Sequence, residues 1–429
     1  AAKAARVDRE LRILVFEKGH FISFAACGIP YLVAGDVAEH PQLVMRTPAQ
    51  MAKQGVEART RHEVISLDVE AQELQVRDLE ADRESTVYYD KLIIGSGARP
   101  VRPPLPGVDL AGVFGVRSLE SGMAIRRFLA EHRIQKAVVV GGGYVGLEMA
   151  ETFRRRGLDV TMVIRSGQVM RSTLDDDVRE LVTAELAAQG VRLLQSTPLA
   201  FEGDESVSAV ITEYGRVPCD IALLGMGAQP NVGLAREGGL TIGNTGAIAT
   251  DGAMKTNAAG VYAAGDCAEA LHLVTGEPAY VPLGSTANKQ GRVAGTNAAG
   301  GSANFVGIVG TTVVRVFDLA VASTGLAADK ARSHGYRVAE TLIKARDISH
   351  YFPGASDIHV KLVVEEETGR LLGGQIVGKR GVAKRIDVLA TALYSRMTVA
   401  DLRQLDLSYA PPFAPVWDPI LVAANVADR

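Results

Sequence analysis

The chain has 429 residues, enough for two or three domains with substantial cores. A net charge of −3, with 22% charged and 47% hydrophobic residues, gives no electrostatic footprint for nucleic acid or a membrane surface, and no apolar run reaches the ~18 residues a spanning helix needs. Three cysteines, odd in number and far apart, argue against a disulfide framework and fit a reducing cytoplasm.

In chain order, Ala1 to Asp8 reads as the end of a helix with no start signal and no Met, so a first strand and its glycine turn are expected to precede it. The run Arg12 to Glu17 reads as a strand. Ten residues past Glu17 stands Cys27, with no cysteine near it. A lone thiol after a nucleotide-binding strand points to a redox centre that stores oxidation as a sulfenic acid or a mixed disulfide. The competing reading is a small buried hydrophobe. Apolar runs bounded by glycine, at Leu92–Ile94, Ala137–Val140 and Ile221–Leu224, read as buried parallel strands. Ser121 to Glu131 and Asp175 to Gln189 carry the spacing of amphipathic helices.

The strongest local motif is Gly141-Gly142-Gly143-Tyr144-Val145-Gly146-Leu147-Glu148, between a strand and a helix. Gly141 makes the tight turn, Gly143 admits a pyrophosphate, and Gly146 allows helix–sheet packing. The following strand, Val160 to Arg165, places Ile164 where an NAD site wants an acid, followed by Arg165 and later Arg171. Arginines grip a 2′-phosphate that an acid would repel, so the charge pattern favours NADPH, with NADH the alternative. A second nucleotide signal is Val261 to Asp266, where an apolar strand ends in Gly-Asp. With Glu17 as a ribose-binding acid, it points to a larger dinucleotide. Beyond about residue 306 the pattern becomes strand-rich, with alternation at His359 to Val364 and a helix near Lys384 to Ser395.

These motifs together resemble the pyridine nucleotide–disulfide oxidoreductases, and within them the branch with one redox cysteine: coenzyme A disulfide reductases, NADH oxidases and NADH peroxidases. Ser23 to Tyr31, Gly95 to Pro100, Val281 to Arg292 and Tyr409 to Phe413 complete the match. The resemblance implies an α/β fold of two Rossmann-like domains, one inserted in the other, plus a C-terminal α+β dimerisation domain. On that pattern residues 1–120 and 245–305 form the FAD domain, 121–244 the NAD(P)H domain and 306–429 the dimerisation domain.

The resemblance further implies FAD, with Glu17 on its adenosine ribose, Val64 beside the adenine and Asp266 on its ribityl–pyrophosphate region, and puts Lys18, Ser96, Gly97, Gly227, Pro282, Leu283 and Ala287 among the cofactor-binding residues. It places Gly141, Gly143, Tyr144, Val145, Gly146, Glu148, Arg165 and Arg171 on the nicotinamide nucleotide, with Tyr144 as a gate over the flavin. Lys3, Arg6, Ser23 and Asn288 would meet coenzyme A. Tyr351 and Tyr409 would act beside Cys27, with Tyr409 reaching the partner subunit of a homodimer and either tyrosine protonating the leaving thiol. No metal is expected. The chain lacks the C-x4-C pair and C-terminal His-Glu couple of the two-cysteine members, and no histidine follows His359. It also has Ala26 where the coenzyme A disulfide reductases carry Asn.

The expected activity is NAD(P)H-driven reduction of coenzyme A disulfide, or a related disulfide or persulfide, with a positive helix end or nearby cation lowering the Cys27 pKa. The rivals are an oxidase or peroxidase cycling a sulfenic acid, and a flavin-binding sensor without turnover.

Overall fold

The structure, a computed structural model, describes residues 1–427. Strand Ile13–Glu17 runs parallel to Val56–Thr60, and Leu92–Ile94 runs parallel to Val261–Ala263. The second pair joins segments from either side of an inserted lobe. Ala98–Pro100 and Ala228–Pro230 pair antiparallel at the neck of that insertion.

The inserted lobe is a five-stranded parallel sheet in the order Val113–Phe114, Ile221–Leu224, Lys136–Val140, Asp159–Ile164, Arg192–Gln195. Past their first residues its central strands are mainly apolar because both faces are covered; Val138, Val139, Met162 and Leu223 are fully buried. Val113–Phe114 belongs to this sheet although it precedes residue 121, where the sequence pattern starts the lobe. Helix Leu119–Glu131 starts at Ser118, whose hydroxyl accepts from Ser121 N–H, and buries Leu119, Ile125 and Phe128.

The C-terminal region is a five-stranded antiparallel sheet, Thr312–Val316, Leu319–Gly325, Leu371–Gly378, Asp357–Glu365, Val338–Arg346. Helix Val382–Tyr394 packs Ile386 and Leu389 against it. Among the described residues, no helix is long and apolar enough to cross a membrane.

The hairpin Ala270–Leu271/Pro278–Ala279 carries the first lobe onto this sheet, where Tyr336 Oη donates to the Val274 carbonyl (2.8 Å). His272, 7% exposed, lies in it with Nδ1 buried and unpaired. Burial, with His334 and Lys330 nearby, pushes its pKa down to about 4. The unfolded chain binds this proton at ordinary histidine pH and the folded chain does not. His272 therefore costs no stability above about pH 6.5, and stability falls as pH drops from there towards about 4, by about 3 kcal/mol in all. His272→Gln is expected to flatten this part of the urea-unfolding pH profile; equal slopes in both proteins would refute the assignment.

Candidate functional site

Parallel strands deliver their C-terminal ends to one side of a sheet, and ligands bind there. Glu17 ends the first strand, with one carboxylate oxygen accepting Gly19 N–H (2.7 Å). Gly95, Ser96 and Gly97 follow Leu92–Ile94. Ser96 Oγ donates to the Asn231 carbonyl (2.6 Å), and Asn231 Nδ2 donates back to Ser96 O (2.9 Å). Gly265 and Asp266 follow Val261–Ala263. Gly265 has φ +85°, and its N–H donates to Gln290 of helix Gly284–Ala298 (2.9 Å). That helix carries Ala287 against Gly265 and begins after Pro282 and Leu283.

Asp266 is ion-paired with Arg117, and Tyr280 Oη donates to its carbonyl (3.1 Å). A side chain at Gly95 would meet nothing, and at Gly97 only the distant Arg117 guanidinium. Bare backbone, a ribose-type acid and a half-buried cation fit the pyrophosphate and sugars of a dinucleotide. Lys18 pairs with Glu63 at 3.6 Å, and Val64 packs into the adjoining core.

The Gly141 loop has the geometry its glycines require. Gly141 has φ +109°, and a side chain there would run into the Gly225 carbonyl; one at Gly146 would run into the Gly141 carbonyl. Gly143 faces open space, leaving its N–H approachable. Gly227, also at positive φ, meets nothing. Arg165 and Arg171 are exposed at the end of Asp159–Ile164 and make no ion pair among the described residues. Tyr144, at the start of helix Tyr144–Arg155, hydrogen-bonds Thr312 Oγ1 (2.6 Å) and so ties the loop to the C-terminal sheet; Val145 is exposed.

Cys27 lies in a single helical turn, Ala26–Gly28, that leads into helix Ile29–Ala34. It is exposed, whereas Cys219 and Cys267 are buried. The charges acting on its sulfur are Glu148 of the glycine-loop helix and Arg117 and Asp266 of the cradle. Its pKa is raised, first by desolvation and then by Glu148, with Arg117 pulling the other way. This corrects the sequence expectation of a lowered thiol: the cation is present, but Asp266 shares it and the local carboxylates outweigh it. Glu148 is itself pushed up to about 7, by burial first and then by Glu151.

Other predicted residues lie elsewhere. Tyr409 and Tyr351 lie on the C-terminal domain, where Tyr351 raises the Tyr409 pKa, and neither tyrosine is among the groups acting on Cys27. Ser23 sits in a two-residue strand opposite Arg46, Asn288 Nδ2 donates to Gly284 O (2.9 Å), and Arg6 is exposed. Lys3 packs on helix Gly284–Ala298 at Gly295, beside a cavity of about 590 Å³ that Lys289, Arg292 and Tyr394 also line.

Two dinucleotide-type folds, each with glycine-rich turns at its strand ends, define a nucleotide-dependent redox enzyme. The chain belongs to the pyridine nucleotide-disulphide oxidoreductase family, whose pattern matches residues 1–291, with the family's dimerisation domain at 311–419. It is an NAD(P)H-dependent oxidoreductase whose cofactors are FAD and NAD(P)H. It is 40% identical over 428 residues to the NAD(P)H sulfur oxidoreductase (CoA-dependent) of Pyrococcus abyssi, covering 99% of this chain and 94% of that one. A NAD-dependent persulfide reductase from A. fulgidus superposes with a TM-score of 0.96 at 36% identity, over 100% of this chain and 80% of that one. A water-forming NADPH oxidase, engineered from the NADH oxidase of Lactobacillus brevis and bound to NADPH, gives 0.95 at 27% identity, over 99% and 94%.

Proposed function

We propose that the enzyme reduces coenzyme A disulfide, or a related low-molecular-weight disulfide or persulfide, with electrons from NADPH. The observation that supports this reading is the one exposed thiol among the described residues, Cys27, on which charges from both the Asp266 cradle and the glycine-loop helix act. FAD, when bound, supplies the two-electron relay from nucleotide to sulfur. Glu17, Ser96, Gly97, Arg117, Asp266 and Ala287 would hold it.

The Cys27 thiolate attacks one sulfur of the disulfide, forming a Cys27–S–S–CoA bond and releasing coenzyme A thiolate. Two electrons and a proton then return Cys27 to the thiolate and free the second coenzyme A thiol. Tyr351 and Tyr409 would protonate the leaving thiol from the partner subunit. Phe413 and Trp417 nearby in sequence are 79% and 60% exposed, an aromatic surface suited to a homodimer. Lys3, Lys289 and Arg292 make no ion pair among the described residues, and their cavity suits the phosphates of coenzyme A. The unpaired cysteines support a cytoplasmic setting.

The competing reading, an oxidase cycling a sulfenic acid, draws support from the NADPH oxidase likeness. Mass spectrometry after incubation with coenzyme A disulfide separates the two. A coenzyme A adduct confined to Cys27 is expected; a sulfenic acid with no adduct would overturn the reductase reading.

NADPH preference follows from Ile164, Arg165, Ser166 and Arg171. The engineered oxidase loses an acid and gains Arg, Ser and Arg one, two and seven positions later, with a further change at a glycine eighteen positions before the acid. Here Gly146 stands eighteen positions before Ile164, and Arg165, Ser166 and Arg171 keep the same spacing. Changing Arg165 and Arg171 together to Ala is expected to lower kcat/KM for NADPH by about 10- to 100-fold and leave NADH nearly unchanged. Equal loss with both nucleotides would remove the arginines from this role.

A further inference from the structure

Gly141 makes the turn, Gly143 opens the backbone and Gly146 packs the helix, which leaves Gly142 without a task in the loop it belongs to. Its contacts lie instead with the segment that carries Arg165 and Arg171. The Gly142 carbonyl accepts Met170 N–H at 2.8 Å. A Cβ on Gly142 would stand 2.9 Å from Ile164 Cδ1, 3.2 Å from Val169 Cα and 3.5 Å from the Gln168 carbonyl oxygen. The two loops therefore pack backbone to backbone, nearer than even an alanine between them would allow without a shift.

The arginine segment is built to keep that approach. It leaves strand Asp159–Ile164 at Arg165 and turns at once, with Gly167 N–H donating to the Ile164 carbonyl (2.9 Å). Gly167 lies so close to Gln195 of the next strand, Arg192–Gln195, that a Cβ there would meet Gln195 Oε1 at 2.9 Å. Val169 and Met170 are buried. Met170 holds φ +49°, a left-handed backbone that a residue with a Cβ adopts only where its surroundings enforce it. Its N–H is taken by Gly142, and its carbonyl accepts Thr173 N–H and Leu174 N–H, both at 3.0 Å. Arg165 and Arg171 are exposed at the two ends of this pinned segment.

We propose that Gly142 is a positioning residue for nucleotide choice: with no side chain to intervene, it clasps the 165–171 segment onto the phosphate loop and fixes how far Arg165 and Arg171 stand from the Gly143 backbone. A nucleotide whose pyrophosphate lies on that backbone carries its adenosine ribose at a set distance, so the two arginines meet a 2′-phosphate only while the clasp holds. The bonds of a guanidinium fork depend on distance and angle together, and a displacement of about 1 Å forfeits much of them. NAD(H), which has no 2′-phosphate, makes no such demand. The inference rests on the reading that these arginines select NADPH.

Gly142→Ala tests this in the FAD-loaded enzyme. Gly142 is not at positive φ, so the backbone accepts alanine and the added methyl acts only by parting the loops. Calorimetric titration is expected to give a Kd for NADP+ about 10-fold above wild type, with that for NAD+ changed by less than about threefold. Limited trypsin digestion, which cuts after Arg165 and Arg171, is expected to proceed about five times faster at these two sites. Adding Ile164→Val removes Cδ1, the atom nearest the new methyl, and is expected to restore most of the NADP+ affinity and the slow cleavage; a fold that was merely weakened would not recover by losing a further core carbon. Equal weakening of both nucleotides, an unmoved cleavage rate or no recovery in the double variant would overturn the proposal. If changing Arg165 and Arg171 to Ala lowers NADP+ selectivity while Gly142→Ala leaves it at wild type, only this inference fails. If wild type binds both nucleotides alike while Gly142→Ala hastens cleavage, the clasp stands and the NADPH reading falls.

Discussion

Cys27→Ser is expected to lower kcat for disulfide or persulfide reduction by about 1,000-fold or more, with thermal stability unchanged. Serine matches the thiol in size but neither forms an anion near neutral pH nor stores oxidation as a disulfide. The position is exposed, so the change opens no cavity. No other sulfur stands in. Cys219 is buried with its thiol pushed up to about 12, and Cys267 is fully buried with Sγ donating to the Ile94 and Ala264 carbonyls. NADPH oxidation by an artificial one-electron acceptor should survive, because that route needs the nucleotide and flavin sites and not the sulfur. A variant keeping even a tenth of its disulfide turnover would remove Cys27 from the reaction.

The parts of this site that were legible in sequence are those built from contiguous residues. Gly141 and Gly146 announce their geometry because each conformation or close approach excludes a side chain, Gly143 because it leaves the loop's backbone open, and Gly265-Asp266 because a buried strand ends there. What sequence spacing misses is partnership between distant segments. Arg117 lies 149 residues from Asp266 and precedes an ordinary helix cap, so nothing local marks it. Arg315 reads as one outward position of an alternating strand, yet it neutralises Glu151 on another lobe. Val113–Phe114 is too short to show a strand period and entered the wrong side of the lobe boundary. The expected drop in the Cys27 pKa failed for a related reason: the cation was anticipated, but the desolvation of the sulfur in the folded chain and, after it, the opposing carboxylates Glu148 and Asp266 were not.

A buried cluster fixing the inserted lobe to the C-terminal sheet gives the largest expected loss of stability. Lys361, on the strand Asp357–Glu365, is 2% exposed. Its ammonium lies 2.8 Å from both oxygens of Asp177, 2.6 Å from Glu340 and 3.4 Å from Asp175. Asp175 in turn accepts from Gln375 Nε2 (2.7 Å) and from Ala328 N–H (2.9 Å). Burial pulls the lysine's pKa down, but the bonds to Asp177 and Glu340 outweigh it and raise the value. Lys361→Met keeps the apolar stem and deletes the charge, leaving the buried Asp175 and the partly exposed Asp177 and Glu340 crowded around the gap. The expected cost is about 3–5 kcal/mol near about pH 8, read as a lower urea midpoint. The sign of its pH dependence is fixed by the same charges. Without the ammonium, the acids repel one another and hold protons more tightly when folded than when unfolded. Acidification then protonates them preferentially in the folded state, so the deficit should shrink as pH falls towards about 5. A deficit that is constant from about pH 8 to about pH 5 would mean that lost packing, not stranded charge, accounts for the damage.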